Sequence, residues 1–197
     1  MTIPPIYLVT GTPGVGKTTI SKILSGKLGG RHIELTLYAM ENGLIIRDDP
    51  ERDTKIVDMD ALQTAIEKEM EQTEKPLIID GHYSHELLEK DQVNLVIVLR
   101  KAPWALHEVL QNRLYSYEKI WENIDAEIMG VIAGEAMEEF PVEKLYEADT
   151  TDKKPEETVE EIMDVIKGIT PRGIEPIDWI TYPETLRVLV NRTCTLS

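Results

Sequence analysis

Eight consecutive residues, Gly11-Thr12-Pro13-Gly14-Val15-Gly16-Lys17-Thr18, fit the pattern G-x-x-x-x-G-K-[ST] and follow directly on an apolar run, Ile6-Tyr7-Leu8-Val9-Thr10. That pattern needs a strand, a glycine-rich turn and a helix in immediate succession, which commits the chain to an α/β architecture. The glycines open backbone conformations closed to other residues, so successive N–H groups can turn inward around a phosphate oxyanion. A helix beginning near Lys17 aims its free N–H groups and the positive end of its dipole at the same anion. Lys17 adds a full charge for the β and γ phosphates, and the Thr18 hydroxyl is placed to ligate Mg²⁺.

The rest of the chain alternates between β-rich runs and helical patterns, the signature of a mostly parallel sheet covered on both faces. Strands are expected at Ile6 to Thr10, His32 to Leu37, Pro76 to Asp80, Val93 to Leu99 and Val142 to Ala148. Helices are expected at Lys17 to Leu28, Asp60 to Gln72, Pro103 to Asn112, Tyr117 to Glu138 and Pro155 to Lys167, the last opened by a first-turn proline and closed by Gly168. Five strands fit one domain of 197 residues. Tyr38 to Val57 is polar and poorly periodic, and Arg113 to Asn123 joins a turn-like stretch to a helix start; such segments often serve as binding loops or lids. Beyond Gly168, a Pro/Gly-punctuated tail leads to an amphipathic helical pattern containing Trp179, Leu186, Val188 and Leu189, expected to pack rather than react.

Charge narrows the functional classes. Lys and Arg total 21 against 36 Asp and Glu, a net −15. That balance argues against broad binding to duplex nucleic acid, which rests on cations neutralising phosphates, and leaves room for a basic protein partner. The longest aliphatic run, Leu95 to Leu99, is far short of the roughly 20 residues a membrane span needs. Met1-Thr2-Ile3-Pro4-Pro5 has no secretory character, so a cytoplasmic location is expected. The single Cys194 suggests neither a disulfide nor a zinc site.

A carboxylate at the end of a neighbouring apolar strand can hold the water shell of magnesium, and Leu77-Ile78-Ile79-Asp80 supplies one. It leads into Gly81-His82-Tyr83-Ser84-His85, a polar loop at the carboxyl end of a strand, where ligands bind in open α/β sheets. His82 is placed to orient a water or touch the γ-phosphate; His85, His32 and His107 read as structural. Phosphoryl transfer also wants cations around the transferred group, and Arg113, Arg100 and Lys119 are the candidates.

Taken together, Gly-Thr-Pro-Gly-Val-Gly-Lys-Thr-Thr at 11 to 19, Ile-Val-Asp-Met-Asp at 56 to 60, Ile-Asp-Gly-His-Tyr-Ser-His at 79 to 85, Val-Leu-Arg at 98 to 100 and Arg-Leu-Tyr-Ser-Tyr-Glu-Lys-Ile-Trp-Glu-Asn-Ile-Asp-Ala-Glu at 113 to 127 resemble the adenylate kinase isoenzyme 6 family. Archaeal members are the most similar, including the tail with Ile177-Asp178-Trp179. The resemblance implies a P-loop nucleoside monophosphate kinase fold with a five-stranded parallel sheet. It implies one domain over 1–197, with a monophosphate-binding insertion at about 34–57, a lid at about 112–122 and an appendage at about 169–197. The implied activity is Mg-ATP-dependent phosphorylation of AMP, with broad acceptor tolerance and ATPase activity. The implied setting is small-ribosomal-subunit maturation through ribosomal protein uS11. Carried over by position, the ATP site is Gly14, Gly16, Lys17, Thr18 and Thr19, with Arg113 in the lid and Lys154 against the adenine; Asp80 and His82 match the acidic motif. Where some members carry an arginine in a Leu-Ala-Arg-Glu segment, this chain reads Tyr38-Ala39-Met40-Glu41. Methionine cannot pair with a phosphate, so another cation, such as Arg47, is needed there, or ATP hydrolysis dominates over AMP turnover. The competing readings are an assembly ATPase with incidental kinase activity and another small-molecule kinase of the sugar or shikimate type.

Overall fold

The computed structural model describes residues 4–49 and 54–194. The expected insertion at 34–57 and appendage at 169–197 therefore extend beyond the described residues at 50–53 and 195–197, as does the opening segment at 1–3; the side chain of Cys194 is not described.

The chain runs β1 (Ile6–Thr10), α1 (Lys17–Leu28), β2 (Arg31–Glu34), α2 (Leu35–Glu41), β3 (Ile45–Asp49), β4 (Thr54–Val57), α3 (Met59–Glu71), β5 (Leu77–Asp80), β6 (Leu95–Arg100), α4 (Pro103–Asn112), α5 (Tyr117–Met129), α6 (Val131–Glu139), β7 (Leu145–Asp149), α7 (Pro155–Ile166) and α8 (Pro183–Cys194). Five strands form one parallel sheet in the order β2-β5-β1-β6-β7, while β3 and β4 pair antiparallel as a separate hairpin.

Side chains alternate across a strand, and β1 shows how that builds the two cores. Ile6 and Leu8 point to one face, with Leu77 and Ile79 beside them, against Leu62 and Ile66 of α3, Leu35 of α2 and Ala133 and Ala136 of α6. Tyr7 and Val9 point to the other, with Ile97 and Leu99, against Ile20 and Leu24 of α1, Leu106 of α4, Trp121 of α5 and Ile162 of α7. The result is three layers with β1 at the centre. The chain leaves β1 for β2 on one side of the sheet and leaves β5 across β1 for β6 on the other, so a crevice opens at the carboxyl ends of β1 and β5.

Four expectations are corrected. The second strand stops at Glu34, because the Glu34 carboxylate accepts from the N–H groups of Thr36 and Leu37 and starts α2 where alternation suggested more strand. The polar stretch after Tyr38 holds the end of α2 and the β3–β4 hairpin. The long helix expected over 117–138 is two: Gly130, at φ 64°, caps α5 and starts α6. The Arg100 guanidinium packs 3.6 Å from where a Cβ at Gly130 would stand. Similarly, Val142–Lys144 forms a 3₁₀ turn after Pro141, which delays β7 to Leu145.

Candidate active site

The phosphate loop is bent by glycines at Gly11, Gly14 and Gly16, with φ of 138°, 100° and 106°. Gly11 is also forced by space, since a Cβ there would lie 2.3 Å from the Leu99 carbonyl oxygen. Val15 is buried beneath the loop among the residues of the second core. The hydroxyl of Thr150 donates to the Val15 carbonyl at 2.9 Å, seating the segment after β7 beside the loop.

Lys17 opens α1 and lies across the mouth of the loop, donating to the carbonyls of Gly11 at 2.6 Å and Thr12 at 3.2 Å. Burial pushes its amine down from 10.5 to about 8; Asp80 opposes the shift and Arg113 adds to it. Lys17, Asp80 and Arg113 thus converge on one point although they lie on α1, β5 and the end of α4.

Asp80 is 1% exposed. Its Oδ1 accepts from His32 Nε2 at 2.8 Å, while Oδ2 is buried with no hydrogen-bond partner in the protein. A buried carboxylate oxygen left open in the cleft that Thr18 also lines is the kind of oxygen donor a hard cation takes. The pair therefore fits Mg²⁺. His32, expected to be merely structural, holds the carboxylate in place.

Thr12, Pro13, Gly14, Gly16, Lys17, Thr18 and Thr19 line a cleft of about 660 Å³. Asp80, Gly81 and His82 line it as well, together with Arg113, Tyr115, Lys119, Glu122 and Asn123 and with Glu34, Thr36 and Lys55. His82 stands at the mouth with its ring edge-on to Tyr83 at 4.6 Å. Loss of water contact, then the charges of Lys17, His85 and Lys119, hold its imidazole down to about 4, so it is neutral at pH 7. Arg113 ends α4 just before Leu114, which sits at φ 58° and is 91% exposed. The expected lid is thus the end of α4, a short link and the first turn of α5. Lys119 lies 4.9 Å over the Tyr115 ring.

Other candidates stand apart. Lys154 is exposed at the start of α7, outside the cleft lining. Met40 and Arg47 are exposed and do not line it either. Lys55, on the hairpin, brings a cation to the cleft beside Glu34 and Thr36; the irregular sequence around it hid the strand pairing. Arg100 is corrected from a candidate phosphate ligand to a buried structural cation. Its Nε donates to Glu127 Oε1 at 2.7 Å, Nη2 to the Glu127 carbonyl at 2.8 Å and Nη1 to Glu147 Oε1 at 2.5 Å. Burial works against this charge, but the two carboxylates hold its pKa above the ordinary arginine value.

Glu127 is the residue that sequence reasoning missed. It is 1% exposed on α5. One carboxylate oxygen accepts from the Thr12 hydroxyl of the phosphate loop; the other accepts from Arg100, from the Lys101 N–H at 3.1 Å and from Trp179 Nε1 at 3.0 Å. One side chain thereby joins the loop, the end of β6, α5 and the C-terminal arm.

A glycine-rich phosphate loop at the switch point of a five-stranded parallel sheet, with an acidic residue ending the adjacent strand, defines the P-loop NTPase fold. Comparison with known proteins narrows this. A family model described as an AAA domain matches residues 8–130. A protein of Thermococcus kodakarensis named “Putative adenylate kinase” is 43% identical over 185 residues, 93% of this chain and 98% of that one. One of the same name from Methanocaldococcus jannaschii is 41% identical over 172 residues, 87% and 90%. The chain belongs to this archaeal family. Among solved structures, shikimate kinases from Bacteroides thetaiotaomicron (TM-score 0.57, 15% identity, 83% of this chain and 98% of that one) and Aquifex aeolicus (0.53, 17%, 83% and 97%) share the fold.

Proposed function

We propose that the protein is a Mg-ATP-dependent nucleoside monophosphate kinase that converts ATP and AMP to two ADP and hydrolyses ATP as a side reaction. The observation that carries this is a single cleft lined both by the phosphate loop and Arg113 and by Glu34, Thr36 and Lys55. In this reading the first group serves the phosphate donor and the second the acceptor.

In this reading the loop N–H groups and Lys17 bind the β and γ phosphates, and the adenine extends past the Thr150 segment toward Lys154 at the start of α7. Lys55 faces the AMP phosphate, in the role that Met40 cannot take. An oxygen of that phosphate attacks the γ phosphorus, the bond to the bridging β–γ oxygen breaks, and ADP departs with the electron pair. Thr18 and Asp80 would hold Mg²⁺, which neutralises phosphate charge when bound. Arg113 counters the charge spreading over the transferred group. Neutral His82 offers a ring nitrogen to a water, which explains how hydrolysis competes when the acceptor is absent. Closure of the link at Arg113–Ser116 would exclude that water.

Lys17→Ala tests the reading: both ADP formation from AMP and phosphate release should fall to background. Wild-type turnover in this variant would refute it. Incubation with each nucleoside monophosphate, separating diphosphate formation from phosphate release, assigns the acceptor.

A second reading, an ATPase that assists small-subunit maturation in the cytoplasm by releasing from ribosomal protein uS11, is favoured by the net charge of −15, because complementary charge speeds encounter with a basic partner. A pull-down whose yield does not change with ATP would count against it.

A further inference from the structure

A second cluster of metal-ligating groups lies outside the cleft, where the 3₁₀ turn Ser84–Glu86 meets α6. His85 is 1% exposed, and its Nε2 is buried with no hydrogen-bond partner. Two carboxylate oxygens face that nitrogen, Glu135 Oε2 at 3.4 Å and Glu86 Oε1 at 3.9 Å, and all three atoms lie within 4.8 Å of one another. Bonds of about 2.0–2.1 Å at tetrahedral angles place neighbouring ligand atoms about 3.3 Å apart, which the His85–Glu135 pair already meets and which the exposed Glu86 carboxylate reaches by a small side-chain rotation.

The contacts on the far side of the ring favour one tautomer of His85. Thr10 has one hydroxyl proton, directed at the His82 carbonyl oxygen at 3.2 Å. Toward His85 Nδ1, 3.1 Å away, the Thr10 oxygen is then an acceptor, which puts the imidazole proton on Nδ1. In that tautomer Nε2 presents a lone pair to the two carboxylates. Such an arrangement is repulsive until a cation stands between them, and a histidine anchored through its other nitrogen is how proteins orient a metal ligand.

We propose that His85, Glu86 and Glu135 form a site for a divalent transition-metal ion of the zinc class, separate from the magnesium donors at Thr18 and Asp80. Imidazole supplies the selectivity for such an ion over Mg²⁺. The two carboxylates are half-exposed, 57% and 49% of their side-chain surface, so the ion reaches them from solvent. Because Thr10 bonds both His85 and the His82 carbonyl, an ion here fastens the loop that carries Asp80 and His82 to α6.

The test is titration of Zn²⁺ into the chelator-treated full chain with excess Mg²⁺ present, followed by calorimetry, by thermal unfolding and by the side-chain ¹⁵N resonance of His85 Nε2. The expected result is one equivalent bound, a raised Tm, and a shift of that resonance complete at one equivalent. Glu86→Gln/Glu135→Gln, which alters only half-exposed groups and leaves the buried ring in place, should weaken binding at least about tenfold. No saturable uptake, or uptake unchanged in the double variant, would overturn the site. The outcome is independent of the kinase reading, because no readout is catalytic.

Discussion

Glu127→Gln replaces the carboxylate at the centre of the buried network with an amide of the same shape. The amide oxygen can still accept from Arg100, Lys101 N–H and Trp179, but the other position becomes an N–H₂ group facing the Thr12 hydroxyl. Arg100 keeps Glu147 as its remaining carboxylate partner, so the fold survives, while hydrogen bonds that were charge-assisted become neutral. Bonds to charged groups contribute about 1.5–3 kcal/mol against about 1 kcal/mol for neutral ones, so a loss of about 1.5–3 kcal/mol is expected for the network. In a chain of this size each kcal/mol lowers Tm by about 2–4 °C, giving a drop of about 3–12 °C. Trp179→Phe removes the indole N–H together with part of a buried ring that packs on Trp104 and Tyr182, and should cost about 2–4 kcal/mol. Calorimetric unfolding of both variants and of the pair, with ATP binding by titration, completes a double-mutant cycle. Less than additive loss, with ATP affinity lowered more by Glu127→Gln, is the predicted result. A Glu127→Gln protein with unchanged Tm and ATP affinity would refute the claim that this carboxylate holds the phosphate loop.

Because Lys17 is held at about 8 in the free protein, kcat/KM for ATP should fall about tenfold per pH unit above that value, while kcat stays flat because bound phosphates keep the amine charged. The folded chain also binds fewer protons than the unfolded one between about 8 and 10.5, so this group's contribution to stability rises across that window; urea melts against pH read the sign. His32→Ala frees Asp80 Oδ1 and should raise the Mg²⁺ concentration for half-maximal activity about 10–100-fold, checked by metal titration of the assay. Gly11→Ala forces a Cβ onto the Leu99 carbonyl at positive φ and should abolish nucleotide binding or folding; a stable, ATP-binding variant would show that the loop tolerates another path.

Much of this was readable from residue patterns. β1, β5 and β6 lie buried on both faces, so they appear as continuous apolar runs, and the P-loop spacing placed Lys17 and Thr18. α2 was hidden because its start depends on a glutamate cap, an uncommon choice, and because Leu35 and Leu37 alternate like strand residues. The break at Gly130 did carry a signal, a glycine after Met129 in the C-cap position. Glu127 carried none. In a helix rich in acidic residues, nothing local separates the one buried carboxylate from its solvated neighbours; its role exists only where β6, α5, the phosphate loop and the arm meet. His32 is similar, since its link to Asp80 spans 48 residues and arises from strand pairing.

The indole that completes the Glu127 carboxylate belongs to a part of the polypeptide made 52 residues later. During synthesis, the Gly11–Thr18 loop, its helix and β5 can all assemble before that partner emerges. A chain shortened ahead of Trp179 would keep every residue of the phosphate-binding motif yet hold the loop less firmly. Intactness of the motif and competence of the cleft are thus separable properties, and the late-made arm connects them.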